Sequence, residues 1–404
     1  MSATAPAAPR GLNASARGLL PSLVALRRAL HRAPEIGLHL PRTQRAVLAA
    51  LDGLPLRITT GEHLSSVVAT LEGALPGRTV LLRGDMDALP LREDTGLAFA
   101  SEVPGAMHAC GHDLHSAMLV GAARLLAARR ADVRGRVVFM FQPGEENFGG
   151  ARHMIDEGVL DTEGAGVDAA FALHVSTRFD SGTVHLRPGP TFAAADQLHI
   201  TVRGRGGHAS APHLALDPIP VACEIVQALQ TAVTRTVHVF DPAVLTVARI
   251  EAGTTTNVIP ETAALHGTIR TLTATTRAAL RESVARVAHH VAAAHGATVE
   301  TELTEGYPPV VNDESATEAA RAAATDLLGA ECVEHLAAPV MGGEDFSYVL
   351  GRVPGTMAFL GARHPDTPPG DAPDIHSNRV VFDEDALAVG SAVHAAVALA
   401  HLGG

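Results

Sequence analysis

The sequence predicts an α/β protein: a mixed, mainly parallel sheet with helices, interrupted by a smaller α+β domain. Three observations carry this. Up to residue 190, compact apolar strands alternate with helical segments, as in a sheet covered on both faces. After Pro190 the strands alternate apolar and polar residues, the mark of a half-exposed antiparallel sheet. After Tyr307-Pro308-Pro309 the chain returns to helix and fully apolar strand. The simplest organisation is one α/β domain, residues 1–190 plus 306–404, split around an inserted α+β domain of residues 191–305.

The elements follow in order. Leu19, Leu23, Leu26 and Leu30 recur at helical spacing, which predicts an amphipathic helix over 18–31. Residues 67–71 and 79–82 are short apolar strands, and 111–129 is a helix rich in Ala and Leu. Residues 136–141, with Val-Val-Phe-Met-Phe at their centre, and 168–174 are buried strands. In the inserted part, Leu198, Ile200 and Val202 share one face of a strand over 197–202. A helix over 218–234, strands over 244–250 and 263–270, a helix over 277–295 and a strand over 298–303 come next. Residues 356–360 are again a buried strand. Residues 386–402 carry His394 and His401 and are too short for a comfortable membrane span, so they read as a buried helix.

Composition removes several classes of function. Apolar residues make up 47% and charged ones 18%, which fits a packed protein and not a disordered one. The net charge of −12 argues against nonspecific attraction to nucleic acid or to an anionic membrane. No lysine occurs; all 31 basic residues are arginine, which excludes a Schiff-base lysine, a pyridoxal phosphate anchor and a P-loop lysine. Cys110, Cys223 and Cys332 are odd in number and far apart, so there is no disulfide framework. That usage suits a reducing cytoplasm. Residues 1–10 are Ala/Pro-rich and lack the apolar core of a signal peptide.

The densest chemistry lies in Met107-His108-Ala109-Cys110-Gly111-His112-Asp113. Thiolate and neutral imidazole bind borderline metals such as zinc. Open α/β sheets hold ligands at the carboxyl ends of their strands. Here one strand runs into Arg83-Gly84-Asp85-Met86-Asp87, another into Gln142-Pro143-Gly144-Glu145-Glu146, and a third into His174. Singly, each has an ordinary explanation. Asp87 could cap a turn before Pro90, Glu145-Glu146 could open a solvated helix, and His174 could be a core histidine bonded to backbone. Their convergence on one sheet edge is harder to obtain by chance. His376, in Asp374-Ile375-His376-Ser377-Asn378, reads by itself as a loop histidine.

With these residues in view, the chain resembles the aminoacylase/carboxypeptidase family of metal-dependent amidohydrolases. It is most similar to the branch of hippurate hydrolases, N-acyl-L-amino acid amidohydrolases and indole-acetyl-amino acid hydrolases. The likeness includes Arg83-Gly84-Asp85-Met86-Asp87-Ala88-Leu89-Pro90, the 107–113 loop and Phe141-Gln142-Pro143-Gly144-Glu145-Glu146. It continues through Gly206-Gly207-His208-Ala209, Asp217-Pro218-Ile219, Thr256-Asn257-Val258-Ile259-Pro260 and Gly267-Thr268-Ile269-Arg270-Thr271. Gly343-Glu344-Asp345-Phe346 and a looser match around His376 complete it. Gly144 stands where many relatives have Ala, a harmless departure.

The resemblance implies two divalent metal ions (zinc, manganese, cobalt or nickel) held by Cys110, His112, Glu146, His174 and His376. Cys110 is the candidate bridge, with His112 and His174 on one ion and Glu146 and His376 on the other. Asp87 orients a ligand imidazole from behind. Glu145 is the general base towards a metal-activated water and returns the proton to the departing amine. His208 stabilises the oxyanion, and Asn257 and Arg270 bind the substrate carboxylate. The implied reaction cleaves an N-acyl-L-amino acid, a small-molecule substrate, into a carboxylic acid and an amino acid. The branch assembles as a homodimer or homotetramer through the inserted domain; whether His208 serves its own or a neighbouring subunit stays open.

Three rivals are kept beside this. One is a dipeptidase or N-acetyl-diaminopimelate-type deacylase of the same family. Another is a catalytically silent protein that binds metal or amino acid, against which Glu145 and His208 weigh. The third, a zinc nucleobase deaminase, needs a Cys-x-x-Cys that the chain lacks.

Overall fold

The computed structural model describes residues 11–162 and 164–403. The Ala/Pro-rich segment 1–10, where no signal peptide was read, lies outside the described residues. The chain forms two compact units, one of residues 11–189, 311–338 and 348–403, the other of 190–310 and 339–347.

The larger unit is built on an eight-stranded sheet. Its order is Arg57–Thr60, Val67–Glu72, Arg134–Gln142, Leu75–Asp85, Ala169–Asp180, Gly355–Arg363, Val184–Leu186 and Val333–His335. The central pairs are parallel: Leu75–Asp85 with Arg134–Gln142 and with Ala169–Asp180, and Ala169–Asp180 with Gly355–Arg363. The first two strands add antiparallel. Every residue of Gly355–Arg363 is buried, as expected of a strand covered on both faces.

Helices Leu12–Arg32, His112–Ala128 and Ala386–Gly403 pack on one another and on the sheet. The first begins before the 18–31 stretch, because Leu12 and Ala16 are also buried. Helix Pro41–Leu51 has no counterpart in the sequence reading; Thr43, Val47 and Leu51 supply its buried face. Ala386–Gly403 is long and apolar enough to cross a membrane by composition, but most of it is buried in this core. Its apolar surface is explained by packing on Leu12–Arg32 and His112–Ala128.

The smaller unit is a four-stranded antiparallel sheet, in the order Ala243–Ala252, Thr262–Thr271, Ala194–Arg203, Thr298–Thr304. Leu198, Ile200 and Val202 are buried while Gln197, His199 and Arg203 are exposed, so the alternation sets which face packs. Each such burial contributes about 1.5–3 kcal/mol. Helices Pro218–Thr236 and Ala274–Ala294 cover that face. Asp217 caps the first through Ile219 N–H at 3.0 Å, with Pro218 at its first position, and Thr273 caps the second through Thr276 N–H at 3.1 Å. Segment 339–347 joins this unit because Ala193 N–H bonds the carbonyls of Val340 and Gly342 at 3.1 and 3.0 Å.

Candidate metal centre

The ladder between Leu75–Asp85 and Ala169–Asp180 stops at Arg83 opposite Ala172, while Leu75–Asp85 stays paired with Arg134–Gln142 to Asp85 opposite Gln142. A crevice therefore opens beside residues 173–176 on that edge. His174 does not end its strand, as the sequence reading had it; the strand continues to Asp180, on the partner Gly355–Arg363. On its other side the ladder to Leu75–Asp85 has already ended, at Ala172.

The 107–113 loop fills the crevice. Gly111 takes a left-handed φ of 83°, and a Cβ there would sit 2.3 Å from Val175 Cγ2, so only glycine fits. It starts the helix that carries His112 and, one turn on, His115. Cys110 Sγ lies 3.5 Å from His174 Nε2, and His174 Nδ1 donates to the Val175 carbonyl at 2.8 Å.

Asp87 does more than face an imidazole. Its Oδ1 is 3.5 Å from His112 Nδ1, and its two oxygens accept Glu145 N–H at 2.9 Å and Glu146 N–H at 3.0 Å. One carboxylate thus pins the turn that presents both glutamates. Gly144, just before them, has φ 72°, a conformation glycine adopts freely.

His376, half exposed, also has a left-handed φ of 66°. Its N–H bonds the Ala109 carbonyl at 2.9 Å, which brings its ring to 3.1 Å from Glu146 Oε1.

Two groups of ligand atoms share Cys110. Those of Cys110, His112 and His174 lie within 4.8 Å of one another, and so do those of Cys110, Glu146 and His376. The donor set fits a pair of borderline divalent cations. Both ring nitrogens of His112 and Glu146 Oε1 are buried and make no hydrogen bond, although Glu146 Oε1 is close to His376. Such orphaned donors and acceptors are costly unless a ligand satisfies them.

The electrostatics point the same way. Burial opposes charge on His112, yet the carboxylates of Asp85, Asp87 and Glu146 outweigh it and push its pKa up to about 10. Burial also opposes the ionised form of Glu146, but His376 and His112 hold its pKa below the usual range. Burial, with His115 beside it, pushes His174 well below its ordinary value, so it stays neutral, as a ligand must. The negative potential that would protonate His112 is one a divalent cation neutralises.

The sequence reading passed over Asp85 and His115. Asp85 Oδ1 is 2.6 Å from His115 Nδ1, and its Oδ2 is 2.5 Å from Arg83 Nη1 and 3.6 Å from His112 Nε2. The three-residue spacing from His112 to His115 was the available signal.

His208, Asn257 and Arg270 belong to the smaller unit. The short strand Gly207–His208 pairs with Val258–Ile259, and Ala209 N–H bonds the Asn257 carbonyl at 3.1 Å, so His208 and Asn257 are neighbours. His208 Nδ1 accepts Ser210 N–H at 3.1 Å, which puts the proton of a neutral ring on Nε2. Arg270 is half buried, and burial lowers its pKa against the pull of Asp196.

A crevice at strand ends, lined with thiolate, imidazole and carboxylate, belongs to a metal-dependent hydrolase of linear amide C–N bonds. The chain belongs to peptidase family M20/M25/M40, whose model matches residues 81–400. Thermostable carboxypeptidase 1 of Saccharolobus solfataricus is 38% identical over 93% of this chain and 94% of its own length. N-acetylcysteine deacetylase of Bacillus subtilis is 37% identical over 93% and 96%. IAA-amino acid hydrolase ILR1-like 2 of Arabidopsis thaliana is 36% identical over 94% and 85%. A solved structure from Bacillus subtilis, described as a dinuclear metal binding peptidase from the M20 family, superposes with a TM-score of 0.83 at 34% identity, covering 96% of this chain and 99% of that one.

Proposed function

We propose that the protein hydrolyses N-acyl-L-amino acids to a carboxylic acid and a free amino acid at a centre of two divalent metal ions. The observation that carries the reading is the pair of three-residue groups sharing Cys110, with Glu145 beside them in the turn held by Asp87. Cys110, His112 and His174 would hold one ion, and Cys110, Glu146 and His376 would hold the other. When bound, the ions lower the pKa of a water towards about 7 and polarise the acyl carbonyl. Glu145 takes the proton from that water and returns it to the departing amine. His208, protonated on Nε2, donates to the developing oxyanion, and Arg270 with Asn257 takes the free carboxylate. The ligands suit zinc, manganese, cobalt or nickel.

Names of relatives support the substrate class and also a second reading. A carboxypeptidase at 38% identity favours peptides, where the acyl group is itself an aminoacyl residue. The deacetylase and the hydrolase of indole-acetyl conjugates favour simple acyl groups.

The inserted α+β domain, 191–305, is proposed as lid and dimerisation domain. Its edge strand Ala243–Ala252 leaves one side without a ladder among the described residues and exposes Ile250, with Val239 and Phe240 just before it. An open apolar edge invites pairing with another chain, here a second copy. A cytoplasmic location rests on the three free cysteines.

The test is a screen of N-acetyl, N-benzoyl and indole-acetyl amino acids and dipeptides, with each metal added to stripped protein. Release of the amino acid from at least one acyl series supports the reading; no release from any substrate with any metal rejects it.

A further inference from the structure

His115 is buried and has no part in the reaction proposed above. Val175 N–H, left without a ladder partner in the crevice, donates to His115 Nε2 at 2.9 Å. Since an amide N–H can only donate, Nε2 is unprotonated and the ring proton sits on Nδ1, given to Asp85 at 2.6 Å. The carbonyl of the same Val175 accepts His174 Nδ1–H at 2.8 Å, so the unprotonated nitrogen of a neutral His174 ring is Nε2, 3.5 Å from Cys110 Sγ. His115 therefore bonds the same backbone residue whose carbonyl takes the His174 Nδ1 proton.

The same pair reaches the other imidazole of that group. Asp85 Oδ2 is 3.6 Å from His112 Nε2, and the His112 and His115 rings stack at 5.4 Å. Arg83, fixed by Gln142 at 2.9 Å, steadies Asp85 from behind. Glu146 and His376 are positioned by different groups: Glu146 N–H by Asp87, His376 N–H by the Ala109 carbonyl.

We propose that Asp85 and His115 are positioning residues for the His112–His174 half of the centre, and that they set the affinity of one ion and not of the other. This rests on the reading that Cys110, His112 and His174 hold one ion while Cys110, Glu146 and His376 hold a second. Groups that orient ligands in this way typically change metal affinity by about 10–100-fold.

The experiment titrates metal-stripped full-length protein with zinc against a chromophoric chelator and follows the melting temperature of the stripped protein separately. Wild type takes up two equivalents. His115→Phe keeps the volume but neither donates nor accepts; one equivalent weakens by about 10–100-fold and the other stays at wild-type affinity. His115→Gln, which can donate to Asp85 and accept from Val175, recovers part of the loss. If His115→Phe fails to fold, Asp85→Asn is read in the same way. Unchanged affinity for both equivalents, or equal weakening of both with a lowered melting temperature, overturns the proposal and leaves His115 as packing. A wild type that takes up fewer than two equivalents instead rejects the two-ion reading itself.

Discussion

Cys110 Sγ sits 3.5 Å from His174 Nε2, although the two residues are 64 apart in the chain. The contact exists because the ladder beside His174 ends at Ala172 and the Gly111 turn brings the thiol into the gap. The same thiol also belongs to the group with Glu146 and His376.

That sharing makes Cys110 unequal to the other candidate ligands. Cys110→Ala is expected to lower uptake of both metal equivalents, whereas His376→Ala lowers only one. Elemental analysis of dialysed protein separates the two patterns. A Cys110→Asp variant with full metal content and full turnover would show that a thiolate is not required.

Glu145 and Glu146 are adjacent, and the proposed function gives them different duties. Glu145→Gln should keep both metals and lose about 10²–10⁴-fold in kcat, the usual worth of a general base. Near-normal turnover in the metal-loaded variant would remove Glu145 from that role.

Arg270→Ala should raise KM for N-acyl amino acids by tenfold or more, on the order of 1.4 kcal/mol for a charge-assisted contact. The same variant should leave KM unchanged for a substrate whose carboxylate is blocked as an amide. Arg270→Lys should recover little, since a bidentate fork is not replaced by a point charge.

Acid stability should depend on Glu93. Burial opposes its charge, but His31 at 3.2 Å, Thr95 and Ser101 N–H at 2.7 Å bring its pKa down to about 2 from 4.5. A depressed carboxylate contributes stability that is present above 4.5 and lost as pH falls towards 2. The contribution is roughly 2–3 kcal/mol. Urea melts should show Glu93→Gln less stable than wild type at pH 6, with the gap closing below pH 3. His31 works in the opposite sense. Burial disfavours its charge, but Asp113 at 2.8 Å and Glu93 raise its pKa, so its contribution is complete below 6.5 and fades as pH rises through the raised value. An equal gap at every pH would sink the Glu93 assignment.

The open edge predicts the assembly. Ile250→Lys places a charge on the exposed strand and should shift a dimer towards monomer in light scattering after size exclusion. If wild type is already monomeric, the edge has no partner copy.

Much of this protein was legible along the chain. The apolar strands around 79–82 and 136–141, the alternation of Leu198, Ile200 and Val202, and the run from Cys110 to Asp113 are local patterns, and side-chain type with spacing carries them. Less was legible for helix Pro41–Leu51, whose buried face is only Thr43, Val47 and Leu51. The sequence by itself determined the mainly parallel α/β class and a stock of metal-ligating residues, because hydrophobic period and donor chemistry are properties of short segments. Only the tertiary structure decided that Asp87 clamps the Glu145–Glu146 turn and that Asp85 and His115 reach His112 and Val175. The His115–Val175 contact depends on where one ladder between two strands stops, and no local pattern records the end of a pairing between segments some ninety residues apart.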